Sequence, residues 1–583
     1  MIKGLTEEQT EFMDAEGKVI VMACPGSGKT YTVAHKLISY IDNWKEYHRG
    51  IAVLSFTNVA SKEICEKAQI IHGSLASLSY PHFIGTVDSF IDEFIVLRYG
   101  YLHTAGNARP RITISDDWKL PHRWDAECRK KGCVDNIEKF YYGIDGNFYK
   151  ESKLVQCSNG RAGKLPCQQY KKILEGKGIV FQNEAALFAY QLLKEYPQIA
   201  SAIADRFPIM IIDEVQDTSM NQMAVFELLS DAGIKSVFLV GDPDQSIYEW
   251  RNANPKSFVK MIENSDWKTI NLTGNFRCSQ NICNATSFFS ASLKGNKSNN
   301  AMGTWKDEKE KPVLLLTREE SEEDIVGYFL DRCKKMGIEI SPRNVAVLTR
   351  GRIHSDTDIA GLWKSIEIEL FAKAVYEWKY GSRKRAYKEA SRASYNVIFN
   401  EDADEYVMAQ RIRTYTDEGT WRDYVIDILN KMPDIEIGVA EWVKEFSVVF
   451  CSVSENHGYE ISKEKNIKDI FKIKRSDKSN PDFKQIPLKR YFEKRSENMY
   501  TRSSIHGVKG ESYDAVLLYI KSQKGSTITP KLLMEGDLNR EMMRLAYVAM
   551  TRARRLLMVA LPDTKGIKNC PRFSEEIWTY EIL

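Results

Sequence analysis

The chain has 583 residues, 43% hydrophobic and 28% charged, which is the make-up of a soluble globular protein with several domains. Its 82 Lys and Arg against 79 Asp and Glu leave a net charge of +3, so any nucleic-acid surface must be local. No apolar run reaches bilayer length, the opening "MIKGLTEEQTEFM" does not read as a signal peptide, and eleven cysteines, an odd number, do not read as a disulfide framework. A reducing cytoplasm is the expected compartment.

The first strong signal is "VIVMACPGSGKT", Val19 to Thr30. Residues Lys18 to Met22 form a short apolar run, read as a buried strand. From Lys29 onward Val33, Leu37, Tyr40 and Ile41 recur at helical spacing. Ala23, Cys24, Pro25, Gly26, Ser27, Gly28, Lys29 and Thr30 thus lie between strand and helix, the setting of a phosphate-binding loop. Gly26 and Gly28 let the backbone wrap closely, so its N–H groups can face phosphate oxygens, and the helix N-terminus adds its dipole. Lys29 would reach the β- and γ-phosphates, and Thr30 would ligate Mg²⁺. Ala23 stands where the usual pattern has its first glycine.

A second apolar run, Ile209 to Ile212 in "RFPIMIIDEVQDTS", ends in Asp213 and Glu214. Carboxylates at the carboxyl end of a buried strand lie where open α/β sheets bind ligands. Asp213 can hold Mg²⁺, and Glu214 can orient and deprotonate a water. A third run, "VFLVGDPDQ", places Asp242 and Gln245 beside the γ-phosphate, where an amide that both donates and accepts can sense it.

Motifs in this order resemble a superfamily 1A DNA helicase of the UvrD/Rep/PcrA type, from "LTEEQ" to "AYVAMTRAR". The resemblance implies ATP and Mg²⁺ as cofactors and two RecA-like α/β P-loop domains, each with a mainly helical insertion. By that resemblance Gln9 reads the adenine edge, and Tyr31 stands beside the base where many relatives have arginine. Phe56, Thr57 and Asn58 of "LSFTNVASKEI" meet the single strand, as does Thr86 of "IGTVDSF", in which Asp88 replaces a common histidine. "GDPDQSIYEWRNA" supplies Gln245 as phosphate sensor and Tyr248, Trp250 and Arg251 toward DNA. In "LTGNFRCSQNI", Phe276 stacks on adenine and Arg277 meets the γ-phosphate. "SIHGVKGESYDAV" brings His506, Lys509, Gly510 and Glu511. Glu511 stands at the ribose position, one residue closer to the glycine than in the common form. Arg552 of "EMMRLAYVAMTRARRLL" is the arginine finger.

The residues support this independently. Two arginines far in sequence from the phosphate loop make sense if a second domain closes on the nucleotide, since guanidinium groups suit a transferring phosphoryl group. Tyr248 and Trp250 interleave with Arg251, and aromatic faces accept any base at about 1–3 kcal/mol each, with no sequence preference. The resemblance implies single-stranded DNA or strand–duplex junctions as partner and 3′-to-5′ travel.

Residues 1–90 and 179–270 are assigned to the first RecA-like domain and 91–178 to its insertion. Residues 271–350 and 500–583 make the second, with 351–499 inserted. Both insertions are short for the family. "NKSNN", Asn296 to Asn300, reads as a polar linker, and no appended nuclease domain is expected after Arg554. "GSRKRAYKEASR" and "KNIKDIFKIKRSDK" can touch duplex backbone or form solvated faces. Cys128, Cys133, Cys157 and Cys167 could together bind zinc or an iron–sulfur cluster, but their spacings match no zinc pattern, so structural cysteines are expected. Besides an autonomous translocase, "IGTVDSF", "GDPDQSIYEWR" and "NFRC" resemble the helicase-like subunit of Gabija antiphage systems. That implies a nucleotide-gated DNA sensor beside an OLD-family nuclease. A small-molecule kinase would need an acceptor pocket in place of aromatic and arginine grips.

Overall fold

Short runs of β-branched and aliphatic residues with no alternating polar positions form strands only where a sheet is covered on both faces. The computed structural model contains two such sheets. It describes residues 5–73, 78–113, 137–150, 153–155, 165–248, 255–263, 265–318, 321–350, 363–400, 408, 411–412, 415–461, 470–473, 484–493, 499–520 and 528–583. The first sheet has β1 (Lys18–Ala23), β2 (Ile51–Ser55), β3 (Phe83–Thr86), β4 (Ile209–Ile212), β5 (Ser236–Gly241) and β6 (Lys268–Leu272). Their order is β6-β1-β5-β4-β2-β3, all parallel. Successive side chains enter opposite cores. Val19, Val21, Ile51, Val53, Ile209, Ile211, Phe238 and Val240 join one cluster, and Ile20, Ala52, Leu54, Met210, Ile212, Val237 and Leu239 join the other.

This order puts the carboxyl ends of β1, β5 and β4 side by side. The phosphate loop after β1, Asp242 after β5 and Asp213 after β4 therefore share one edge, as parallel sheets place their ligand sites. Three helices frame it. The first, α1 (Glu7–Asp14), is capped by Thr6 and Gln9 in a reciprocal box; α2 (Lys29–Ile41) starts directly from the loop; α3 (Asn58–His72) is capped by Thr57.

The second sheet has β7 (Val313–Thr317), β8 (Val345–Thr349), β9 (Thr501–Ser504), β10 (Tyr513–Tyr519), β11 (Ala553–Pro562) and β12 (Thr579–Ile582). Its order is β9-β8-β10-β11-β7-β12, again all parallel, with the same alternation into two cores. Two boundaries differ from expectation. Asn271 and Leu272 still pair with Met22 and Ala23, so the chain leaves the first sheet at Thr273. "NKSNN" is not a free linker: Asn300 and Ala301 pair with Gly274 and Asn275, and the Gln280 amide donates to Ser298 Oγ and the Asn299 carbonyl. Polar composition alone could not reveal these fasteners.

The described part of the first insertion has a helix, Pro166–Gly176, and also a three-stranded antiparallel ribbon where mainly helix is expected. In "FYYGIDGNFYK" Phe140 stacks near Phe148 and Tyr141 near Tyr149, and Gly146 turns the chain at φ +77°. Cross-strand aromatic pairs and an Asp-Gly turn favour a hairpin. Cys128, Cys133 and Cys157 lie outside the described residues.

The chain forms two compact units, Met1–Gly351 with Tyr500–Leu583, and Arg352–Met499. The second unit holds the helices Ile366–Tyr380, Arg383–Phe399, Glu418–Lys431 and Val439–Asn456 around an aromatic core of Phe371, Trp421, Tyr424, Trp442, Phe446 and Phe450. "GSRKRAYKEASR" falls at the second of these helices, while much of "KNIKDIFKIKRSDK" lies outside the described residues. No described helix is long and apolar enough to cross a membrane.

Phe238 is fully buried on β5, with its ring 5.4 Å from that of Phe12. Phe238→Ala should lower unfolding stability by about 3–5 kcal/mol. Val59→Ala, at a 76% exposed position, should stay within about 0.5 kcal/mol in the same denaturant titration.

Candidate nucleotide and strand site

The phosphate loop is held open by its own backbone. Gly26 and Gly28 adopt φ +75° and +79°, a region that favours glycine. A Cβ on Gly26 would lie 2.6 Å from Arg277 Cβ and 2.7 Å from Asn275 Oδ1, so the loop and the second lobe meet where only glycine fits. The Phe276 N–H donates to the Gly26 carbonyl at 2.8 Å, and the Cys24 N–H to Leu272 at 3.2 Å. Among the described residues, Ser27 Oγ and Lys29 Nζ are buried polar atoms with no hydrogen-bond partner. Lys29 Nζ stands 3.2 Å from Glu214 Oε1. Burial alone would depress its ammonium, but Glu214, Asp242 and Asp213 outweigh that and raise its pKa.

Three carboxylates face this lysine. Asp213 is buried at the end of β4, with Oδ1 accepting from the Glu214 N–H at 2.9 Å. Its pKa is raised by burial and then by the Glu214 charge. Glu214 takes a left-handed backbone, φ +55°, uncommon outside glycine, and accepts from the Gln216 amide. Burial would raise its pKa, but Lys29 and Lys509 hold it low, so it stays a carboxylate, as a base must. Asp242 is pushed up to about 7 by burial and by Asp244. Gln216, which the sequence reading passed over, ties the strand ends together. Its oxygen accepts from the Asp242 N–H at 3.0 Å while its nitrogen serves Glu214.

The second lobe reaches Gln245 through Arg552. Gln245 Nε2 donates to Asp242 Oδ2 at 2.5 Å, and its Oε1 accepts from Arg552 Nη2 at 2.8 Å. Arg552 is itself buried and also donates to the carbonyls of Val548 and Glu511, at 2.9 and 3.3 Å. Burial and the neighbouring Arg277 pull its guanidinium down to about 9. Arg277 Nη1 donates to the Thr551 carbonyl at 3.1 Å, so both arginines converge on the end of the helix Glu541–Met550. Glu511 contributes its carbonyl to Arg552, and its side chain is exposed.

The segment after Gln245 is gripped along its length. Lys509 Nζ pairs with the buried Asp217 and donates to the Gln245 carbonyl at 3.1 Å. Arg544 Nε donates to Ser246 O at 2.6 Å, and His506 Nε2 lies 3.2 Å from Ile247 O. Asp244 accepts from Ser290 Oγ and the Ala291 and Ser292 N–H groups at 2.5–3.2 Å. Ile247 is fully buried in the second lobe's core. Asp217, Arg544 and Asp244 were missed because each is an ordinary polar residue until its partner, 46 to 298 positions away, is known.

Tyr248 links this grip to an aromatic surface. Its ring lies 5.3 Å from Phe56 and 6.0 Å from His506, and Lys509 Nζ sits 4.8 Å over it. Trp250 and Arg251 lie outside the described residues. Thr57 and Thr86 are helix caps, with hydroxyls accepting from Ala60 and Ser89, and Asn58 is exposed at the start of α3. Tyr31 and Phe276 are 39% and 40% exposed, and the Tyr31 ring meets that of His35 edge to face at 4.4 Å. Gln9 is buried: its Oε1 accepts from Thr6 N–H at 3.0 Å and its Nε2 donates to Ser27 O at 3.2 Å.

Comparison with known proteins agrees with this geometry. The UvrD/REP helicase N-terminal domain family matches residues 5–266, and the UvrD-like helicase C-terminal domain family matches residues 383–563. The Gabija protein GajB of Bacillus cereus (strain VD045) is 29% identical over 312 residues, 52% of this chain and 54% of that protein. The ATP-dependent DNA helicase PcrA of Staphylococcus epidermidis (strain ATCC 35984) is 26% identical over 322 residues, 52% of this chain and 42% of its own length. PcrA of Staphylococcus aureus (strain NCTC 8325) is 25% identical over 316 residues, 52% and 41%. The chain thus spans about half the length, or less, of the curated relatives it matches.

Removing one member of the buried Lys509–Asp217 pair leaves the other uncompensated. Lys509→Ala should lower unfolding stability by about 3–5 kcal/mol, and Lys509→Met with Asp217→Asn should recover most of the loss in the same denaturant titration.

Proposed function

The chain belongs to the UvrD-like helicase family, and we propose that it is an ATP-driven translocase or helicase on single-stranded DNA, moving 3′ to 5′. The observation that carries the proposal is the continuity from Asp242 through Gln245 to Arg552 on one side and to Tyr248 and Phe56 on the other. A change at the γ-phosphate would be felt three residues from an aromatic platform.

ATP with Mg²⁺ fits the residues present. Two buried donors, Ser27 Oγ with no partner and Lys29 Nζ held only by its ion pair to Glu214, suit phosphate oxygens. The metal, held by Thr30 and Asp213, would neutralise charge developing on the β- and γ-phosphates. Glu214 would take the proton of the attacking water. Arg277 and Arg552 would steady the transferring group, and Gln245 would report its presence. Gln9, Tyr31 and Phe276 would hold the base and Glu511 the ribose. Phe56, Thr57, Asn58, Thr86, Tyr248, Trp250, Arg251 and His506 would hold the strand, with stacking as the sequence-tolerant term. On this reading the two RecA-like domains are the motor, and residues 91–178 and 351–499 are reduced insertions.

A second reading has its own support. Similarity to a Gabija protein, together with short insertions, favours a DNA-sensing subunit that regulates a nuclease in antiphage defence. Strand displacement by the isolated protein supports the autonomous motor. DNA-stimulated hydrolysis without displacement, with co-purification of a nuclease, supports the sensor.

Single-stranded DNA should raise the ATPase rate at least tenfold, and a rate indifferent to DNA would refute the motor. Glu214→Gln should keep ATP affinity within about threefold while kcat falls by about 10²–10⁴. Trp250→Ala should weaken DNA stimulation more than basal turnover; equal losses in both would count against a stacking role.

A further inference from the structure

The crossing from the first sheet to the second lobe occupies four residues, Thr273 to Phe276, and two fasteners flank it. One is the Phe276 N–H donated to Gly26. The other is Glu8. Its carboxylate accepts from the Thr273 N–H at 2.7 Å through Oε2 and from the Thr273 hydroxyl at 2.5 Å through Oε1. This bidentate clasp spans 265 positions of sequence. It is reinforced three residues on, where Glu11 Oε1 pairs with Lys268 Nζ on β6 at 2.8 Å. Glu8 precedes Gln9 on α1, and Gln9 in turn holds the phosphate loop through Ser27 O. The loop closes the circuit, because Cys24 donates its N–H to Leu272 and places Sγ 3.7 Å from Thr273 O.

We propose that Glu8 is a positioning residue that fastens the helix carrying Gln9 to the crossing between the lobes, so that choice of base and closure of the lobes are set together. This rests on the ATPase reading given above. The geometry gives the reason. A turn of the second lobe must pass through the backbone at Thr273, since β6 before it is locked in the first sheet and Gly274 and Asn275 after it pair with Asn300 and Ala301. A carboxylate gripping both donors of Thr273 resists that turn at one end and transmits it to α1. Gln9 lies one residue away, so it would shift with the turn. A base that Gln9 accepts would then favour the closed lobes, and a base that it rejects would not.

The experiment is steady-state hydrolysis of ATP and GTP with saturating single-stranded DNA, alongside thermal unfolding of each variant. Glu8→Ala and Thr273→Val should each raise KM for ATP five- to twentyfold with kcat changed less than threefold. Each should cut the ATP-over-GTP preference in kcat/KM at least fivefold. Thr273→Ser, which keeps the hydroxyl, should restore wild-type values. Glu7→Ala, which removes the neighbouring first-turn charge without touching Thr273, should leave them alone. The double variant Glu8→Ala with Thr273→Val should be no worse than Glu8→Ala alone, because loss of the carboxylate already breaks both bonds while Thr273→Val breaks only the hydroxyl one. Additive losses, an unchanged base preference, or a fall confined to the unfolding temperature would overturn the clasp. A wild-type protein that hydrolysed no ATP would instead overturn the reading of function beneath it.

Discussion

One buried amide holds the arrangement together. Gln245 can donate to Asp242 and accept from Arg552 at once because a primary amide carries both functions on adjacent atoms. A carboxylate there would repel Asp242, and an ammonium would repel Arg552. Both partners are buried, so the bond is made at low dielectric and its loss would leave two polar groups stranded. Neighbouring contacts from the second lobe gather on the same segment. Lys509 and Arg544 seize the carbonyls of Gln245 and Ser246, and Asp244 reaches the loop Ser290–Ser292.

Like charges cluster on each side of the site. Asp213, Glu214 and Asp242 crowd Lys29 from one lobe, and Arg277 and Arg552 crowd each other from the other. Carboxylates raised by burial and a guanidinium pulled down to about 9 mark groups short of countercharge. On the proposed function, a magnesium triphosphate would supply both signs to these groups. Perturbed groups of this kind are what catalytic sites characteristically contain.

The same segment couples two kinds of chemistry. Asp242 to Gln245 belongs to the polar cleft, Ile247 is locked in the second lobe's core, and Tyr248 faces Phe56 under the Lys509 ammonium. Seven residues therefore join the carboxylate edge of one sheet, the core of the other lobe and an aromatic surface. Short covalent distance makes such coupling stiff, because few dihedrals lie between the ends to absorb a displacement.

Much of this was legible in the order of residues. Strands fully buried on both faces read as unbroken apolar runs, and the Gly-Lys-Thr and Asp-Glu that follow two of them lie at one edge of the sheet, as their order implies. Local chemistry sufficed there: a glycine must bend, a lysine must carry charge, and an apolar run must be covered. Tertiary structure alone decided the pairings. That β5 lies between β1 and β4, that Lys509 chooses Asp217, that Gln216 bridges two strand ends and that Glu8 clasps Thr273 are matters of distance in space. A sequence states which groups can form hydrogen bonds and ion pairs. Which of them meet depends on the closure of loops hundreds of residues long, and that is fixed only when the whole chain packs.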